Sequence, residues 1–518
     1  MTVPGGPAML GPSMSPPPQT PLASTGLVPK LAALCAASFL VKWGAYLLWP
    51  NLGNPDETFQ YLEQAHRLVY GTGIVPWDFL AGIRSWLLPG LLMPGMALAR
   101  LLGAGPESFL AGNAALLALL SLSAVICGTL WGRRVAGTAG GMIAGALNAF
   151  WFESVYYATH VLAEVVAADF LVAGLFLGYP DAAAKTPKRL VLAGLCLGAA
   201  AVLRLQLGPA VAVALVFLCG RRPRAWLAAA AGALGPVLLL GAVDWVTLGE
   251  PFQSVFRYLQ VNYLADAATQ FGIDPWYQYF LWEGGYWWLA GLLILPLALL
   301  GAKRLPLLLL VVLIILGTHM AVPHKEPRFI FPAIPLLLTL VGIGSAEALA
   351  RAFQFRPTVI GGLGALCWIA VSAELGSAGY FAAYWQVGAG MATAQRLVDA
   401  RAGSCGLAIY PRDLWWRSGG YTRLRPGITL YGLDADQPDA PARSRAFTDI
   451  VTTGNGPDAP QPDFTALGFQ REGCWDNGQN RTPICLWRRQ GGCDASADTP
   501  LVAHSPEALD AVVRQLQR

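Results

Sequence analysis

The sequence predicts an all-α polytopic membrane protein of about eleven transmembrane helices with a cytoplasmic N-terminus, followed by a soluble α/β domain on the extracytoplasmic face. Three observations carry this. Of the 518 residues, 55% are hydrophobic and only 13% charged, against roughly 25% charged residues in an ordinary soluble domain. Apolar runs of membrane-spanning length recur up to about residue 375. Beyond that point Asp, Arg, Asn and Pro become frequent. The net charge of +4 is small for this length and gives no basis for a nucleic-acid partner.

Residues 1–26 are rich in Pro, Ser, Thr and Gly, carry no charge, and read as a disordered cytoplasmic tail. Residues 27–378 form the membrane domain. Its expected spans begin with Leu27 to Trp49, Phe109 to Trp131, Val135 to Phe150, Val161 to Tyr179, Leu190 to Gln206, Leu207 to Cys219 and Ala225 to Leu248. Four more begin near Tyr286, Leu305, Phe329 and Thr358. Basic residues in short loops stay cytoplasmic. The clusters Arg133-Arg134, Lys185 with Lys188 and Arg189, Arg221-Arg222 with Arg224, Lys303-Arg304, and Arg351 with Arg356 all fall inside if Leu27 to Trp49 runs outward. This holds only if Trp86 to Leu102, broken by Pro89, Gly90, Pro94 and Gly95, lies in the interface or re-enters rather than crossing.

In that register Pro50 to Ser85, Trp151 to His160, Gly249 to Gly285 and the turn His324 to Arg328 converge on the outer face, joined by residues 379–518. The exported domain holds Cys405, Cys474, Cys485 and Cys493, enough for two disulfides in any of three pairings, whereas a metal site lacks nearby His. The other five cysteines lie in apolar runs and read as small buried hydrophobes.

Asn54-Pro55-Asp56-Glu57 follows the first span directly and presents two carboxylates at the membrane surface, where partial desolvation suits a general base. The competing reading is a helix cap. His324-Lys325-Glu326-Pro327-Arg328 places three potential cations beside a membrane on the face where basic residues are disfavoured, so a phosphate ligand is preferred over interfacial snorkelling. Arg204 sits near the outer end of an apolar helix and either meets the same phosphate or bridges to Glu164 or Asp169. Glu153 and His160 border another outer loop. The aromatic stretch Asn262 to Phe280 either anchors the interface or stacks on a sugar. No phosphate-binding loop, Gly-x-Ser-x-Gly elbow or paired-His zinc pattern occurs.

Three stretches then resemble glycosyltransferase family twenty-two, part of the C-type (GT-C) superfamily of polytopic transferases, which includes mannosyltransferases of the dolichol-linked oligosaccharide and GPI-anchor pathways. They are Pro55-Asp56-Glu57 with Gln60, Glu63, His66, Gly71, Trp77 and Arg84-Ser85; Asn262 through Gly272 with Pro275-Trp276 and Tyr279-Phe280; and His324-Lys325-Glu326-x-Arg328-Phe329. The resemblance covers Leu27 to Glu374, and Asn54 stands where the family usually has His. It implies a hexosyltransferase that moves mannose, or a related hexose, with inversion from a polyprenyl-phosphate donor to a glycan, glycolipid or protein acceptor. The loop 50–107 would be catalytic, with Asp56 as base and Glu57 either orienting the acceptor or substituting for Asp56. His324, Lys325, Arg328 and Arg204 would hold the donor phosphate, and Gln60, Arg84, Glu153, Trp276, Tyr279 and Glu326 would line the substrate site. No metal ligand is assigned, and a divalent-metal requirement is left open. The other class considered is a transporter or flippase of lipid-linked sugars. A composition high in Ala, Gly, Pro and Arg favours a bacterial inner membrane with a periplasmic site over the endoplasmic reticulum.

Overall fold

The computed structural model describes residues 26–180, 186–378, 380–436, 444–453, 462–478, 482–494, 498–505 and 507–517. The expected tail through residue 25, Lys185, Gly379 and residues 437–443 and 454–461 lie outside them.

Helix α1 (Leu27–Leu48) leads through an extended link into a π-helical turn, Glu57–Leu62, and α2 (Glu63–Tyr70). Gly71, at φ 75°, ends α2 in the left-handed conformation that glycine adopts without a Cβ penalty. Strand β1 (Val75–Pro76), α3 (Trp77–Leu80) and α4 (Leu87–Leu101) complete the first loop. At 15 residues α4 is about 22 Å long, short of a roughly 30 Å bilayer core, and it runs on through Pro94.

Helices α5 (Pro106–Leu120) and α6 (Leu122–Phe150) run almost continuously. The 45 residues would measure about 68 Å if straight. Instead the backbone leaves helical geometry at Ala136 and Gly137 and the chain turns back. A Cβ on Gly132 would stand 2.3 Å from the Gly140 carbonyl oxygen, so only glycine allows this close approach of the two halves. The two separate spans expected across Phe109 to Phe150 correspond to these halves.

After α7 (Phe152–Tyr157) come α8 (Ala163–Gly178), α9 (Pro187–Leu203), α10 (Gly208–Cys219), α11 (Pro223–Leu248) and α12 (Gln253–Leu259). Then follow α13 (Gln278–Trp287), α14 (Gly291–Ala302), α15 (Pro306–Met320), α16 (Ile334–Ala352) and α17 (Pro357–Ser377). Among the described residues six stretches are long and apolar enough to cross a membrane: Leu27–Leu48, Pro106–Phe150, Pro223–Leu248, Gln278–Ala302, Pro327–Ala352 and Pro357–Ser377. Every expected span is helical, but α8, α9, α10 and α15 have 16, 17, 12 and 15 residues. Two of them stop early at a cavity, α9 at Arg204 and α15 just past His319.

Helix α16 is the hub. It is apolar all round and almost wholly buried against α6, α14, α15 and α17, whereas the other five long stretches keep large apolar side chains such as Leu40, Leu116, Leu238, Leu292 and Leu366 exposed. An apolar helix buried on all sides surrounded by helices with apolar outer faces is the arrangement a lipid solvent selects.

The C-terminal part has the expected α/β character. Helix α18 (Ala389–Ala400) packs on a five-stranded sheet of β2 (Gly406–Tyr410), β3 (Thr429–Gly432), β4 (Asp449–Thr453), β5 (Gln470–Trp475) and β6 (Ile484–Arg488). Its order is β3-β2-β4-β6-β5, parallel through β2 and antiparallel through β6. Of the three pairings open to the cysteines, the structure forms Cys405–Cys493 and Cys474–Cys485. The second ties neighbouring strands that already pair in register. The last strand, β7 (Ala503–His504), pairs with β1 in the first loop, and α19 (Glu507–Leu516) lies against that loop.

Candidate active site

The chain tracing puts the described basic clusters at one end of the bundle and the predicted outer segments at the other, where three of them, 50–85, 249–285 and 324–328, meet around a cavity of about 760 Å³. That volume fits a small-molecule site. Its walls come from the Asp56 loop, the end of α9, the 258–279 segment, the turn after α15 and the C-terminal domain.

Asp56 precedes the π-helical turn, a distortion that re-aims side chains and is frequent at functional sites. Its Oδ2 accepts a hydrogen bond from Arg328 Nη2 at 2.6 Å. Arg328 also grips Glu326 with Nε and Nη2, each at 2.8 Å, a forked pairing that fixes the guanidinium plane. Burial pushes the Glu326 carboxyl up, but Arg328 and His324 outweigh it and hold it well below the usual carboxylate range. Behind them Glu164, in the first turn of α8, is 1% exposed and lies 3.4 Å from Arg328 and 3.6 Å from Arg204.

Arg204 is the least committed cation here. Its guanidinium stacks over Phe329 at 4.6 Å and reaches Glu164, and among the described residues its buried Nε has no hydrogen-bond partner. Of the structural bridges expected for Arg204, the structure forms the one to Glu164 at 3.6 Å, and Arg204 also lines the cavity. Arg84 lines another wall, held by Asp78 at 3.0 Å, and burial pushes the Asp78 carboxyl up against that pull. Gln60, Tyr279 and His324 also reach the cavity.

Four expected site residues do not. Glu57 points to the opposite side, where its carboxylate meets His160 Nδ1 at 2.6 Å and accepts the Val161 amide at 2.8 Å. Successive residues of a helical turn diverge by about 100°, so Asp56 and Glu57 cannot share a face. Lys325 turns inward and donates to the carbonyls of Asp274 at 3.2 Å, Pro323 at 3.4 Å and Val322, fastening the turn. Glu153 is buried and accepts the indole N–H groups of Trp151 at 2.7 Å and Trp287 at 2.9 Å, while burial pushes its carboxyl up. Trp276 is 62% exposed and meets Tyr277 and Phe280 edge-on on the outside, as an interfacial anchor does. The structure in turn brings in residues not anticipated: His319, Asp78, Phe59, and Trp415, Trp416 and His504 of the C-terminal domain.

Residues 38–404 match the model of the Alg9-like mannosyltransferase family. The chain belongs to that family. Its similarity to GPI mannosyltransferase 3 of Yarrowia lipolytica is 30% identity over 57% of this chain and 58% of the relative, and to alpha-1,2-mannosyltransferase ALG9 of Mus musculus 26% over 62% and 54%. The alignments thus span a little over half the length of these relatives. Among solved structures, ArnT from Cupriavidus metallidurans bound to undecaprenyl phosphate superposes with a TM-score of 0.57 at 14% identity, over 90% of this chain and 98% of that one. The fold is therefore GT-C, as the resemblance implied, and at this identity the likeness extends to the fold alone.

Proposed function

We propose that this family member is an inverting mannosyltransferase that takes its sugar from a polyprenyl-phosphate donor at the extracytoplasmic face. The observation that carries this is the Asp56–Arg328 pair on the wall of a cavity also lined by Arg204, whose buried Nε has no hydrogen-bond partner among the described residues. A transferase of this kind needs a base for the acceptor and fixed cations for a departing phosphate, side by side. The relatives are mannosyltransferases, and the ArnT neighbour was captured with undecaprenyl phosphate.

In this reading the acceptor hydroxyl attacks the anomeric carbon, the bond from that carbon to the phosphate oxygen breaks, and the proton passes to Asp56. The leaving phosphate gains negative charge, which Arg204 and Arg328 stabilise. As phosphate draws on Arg328, its hold on Asp56 loosens and frees the carboxylate to accept the proton. Arg84, Gln60, Tyr279 and His324 border the sugar, and Glu326 keeps Arg328 in place. Glu57, Lys325 and Glu153 shape the site from behind. The basic clusters at the far end of the bundle support an outward-facing cavity.

The experiment is transfer by purified protein in detergent. Labelled polyprenyl-phosphate mannose should give a labelled mannoside product, whereas GDP-mannose should not. Movement of the lipid donor across a bilayer without any product would instead favour a transporter.

A further inference from the structure

The cavity changes character along its length. Near the helix ends it is lined by Arg204, Arg328, Asp56 and Glu326, while the C-terminal domain closes it with Trp415, Trp416 and His504. These three belong to the sheet domain, yet their rings face the membrane domain's site. Phe59 meets Trp415 edge-on at 4.6 Å, and the His504 ring packs tilted against Trp415 at 4.6 Å. Asp56 and Phe59 both line the cavity, so one short π-helical segment carries the carboxylate and the ring that meets the aromatic wall.

The domain that supplies this wall is fastened to the cavity at three places. Glu63 of α2 accepts the amides of Tyr421 and Thr422 at 3.0 and 3.1 Å. Strand β7, which carries His504, pairs with β1 directly before Trp77. Leu509 and Val513 of α19 pack into a cluster with Ala81, Ile83, Val261 and Ala267, from two loops that border the cavity. The aromatic wall is consequently a fixed part of the site.

We propose that this wall is the acceptor subsite and that its ligand is the terminal hexose of a glycan. The inference rests on the transferase reading and adds the side from which the acceptor enters. A hexose has a C–H face that an indole ring covers and hydroxyl edges that need paired partners. Trp416, 38% exposed, offers such a face. The Arg417 guanidinium lies over one face of the same ring, 4.6 Å from its centroid. Burial holds the His504 ring below the ordinary histidine value against the pull of Asp510, so the neutral imidazole offers one donor and one acceptor to hydroxyls. The donor has no use for this end, because its lipid chain must leave toward the apolar helices rather than into a polar sheet domain.

The test uses the full-length protein with methyl α-1,2-mannobioside as probe, its binding followed by saturation-transfer NMR and its turnover by transfer from polyprenyl-phosphate mannose. Trp416→Ala and His504→Ala should raise the acceptor KM about tenfold or more and weaken the probe's NMR signal. The donor KM should stay within about twofold, and Trp416→Phe should restore most acceptor affinity. Arg204→Ala should leave probe binding intact. Unchanged acceptor KM in both alanine variants, or a rise in donor KM instead, overturns the proposal. Probe binding that depends on Trp416 in a protein showing no transfer would uphold the subsite while refuting the transferase reading.

Discussion

Glu63→Gln tests how the C-terminal domain is held on the active-site loop. The Glu63 side chain is fully buried and receives four hydrogen bonds: Oε1 from Ile74 N at 2.9 Å and Tyr421 N at 3.0 Å, and Oε2 from Thr422 N at 3.1 Å and Thr422 Oγ1 at 2.8 Å. Gly420 permits this cradle, since it holds φ 58° and a Cβ there would stand 2.5 Å from Oε2. Glutamine has the same shape, but its amide group can replace only one oxygen. With the carbonyl kept at the Oε1 position, the Thr422 N–H faces another donor and is orphaned at a cost of about 1–3 kcal/mol. The Thr422 hydroxyl can rotate and accept. The two remaining bonds lose their charge assistance, about 1 kcal/mol each. The sum is about 3–5 kcal/mol, concentrated at one seam. Hydrogen exchange read by mass spectrometry should show residues 420–423 and 74–76 opening at least about a hundredfold faster, with α8, α9 and α16 unchanged. Equal protection in wild type and variant would refute the staple.

Four further outcomes are expected. Glu57→Gln should retain turnover within about tenfold, because that carboxylate faces His160 rather than the cavity, and steady-state kinetics will read it. Arg204→Lys keeps the charge but loses the planar fork, so kcat/KM for the lipid donor should fall about a hundredfold with the acceptor KM unchanged. Replacing Cys405 and Cys493 by Ser opens a link spanning 88 residues, which should cost the sheet domain about 4–5 kcal/mol and appear as a lowered unfolding temperature under oxidising conditions. A phosphatase reporter fused after Arg518 should be active in the periplasm of a bacterial host, and a cytoplasmic signal would reverse the orientation.

Much of the fold was legible because apolar length and loop charge are local properties. Every expected span is helical, and Trp86 to Leu102, expected to lie in the interface or re-enter, holds a short helix with Pro94 inside it. The meeting of Asp56 with Arg328, 272 residues apart, followed from charge placement together with the family motifs. What stayed hidden was direction. Sequence spacing could not tell that Asp56 looks into the cavity and Glu57 away from it, since both follow the same turn. Lys325 lies between two residues that face the cavity, but its ammonium is consumed by carbonyls that only the folded turn presents. His319 carries a signal in the sequence, since a histidine within an apolar helix is rare without a polar neighbour or cavity. Trp415, Trp416 and His504 carried none, because a domain's docking decides which of its aromatic residues meet a site.

Whether Asp56 is the base opposite a lipid phosphate is decided by single-turnover transfer from labelled polyprenyl-phosphate mannose to a soluble mannoside, with purified wild type, Asp56→Asn and Asp56→Glu. The Asn variant should still fold and bind the lipid donor but transfer at least about a thousandfold more slowly, and Glu should restore part of the rate. Transfer by Asp56→Asn within tenfold of wild type would contradict that role.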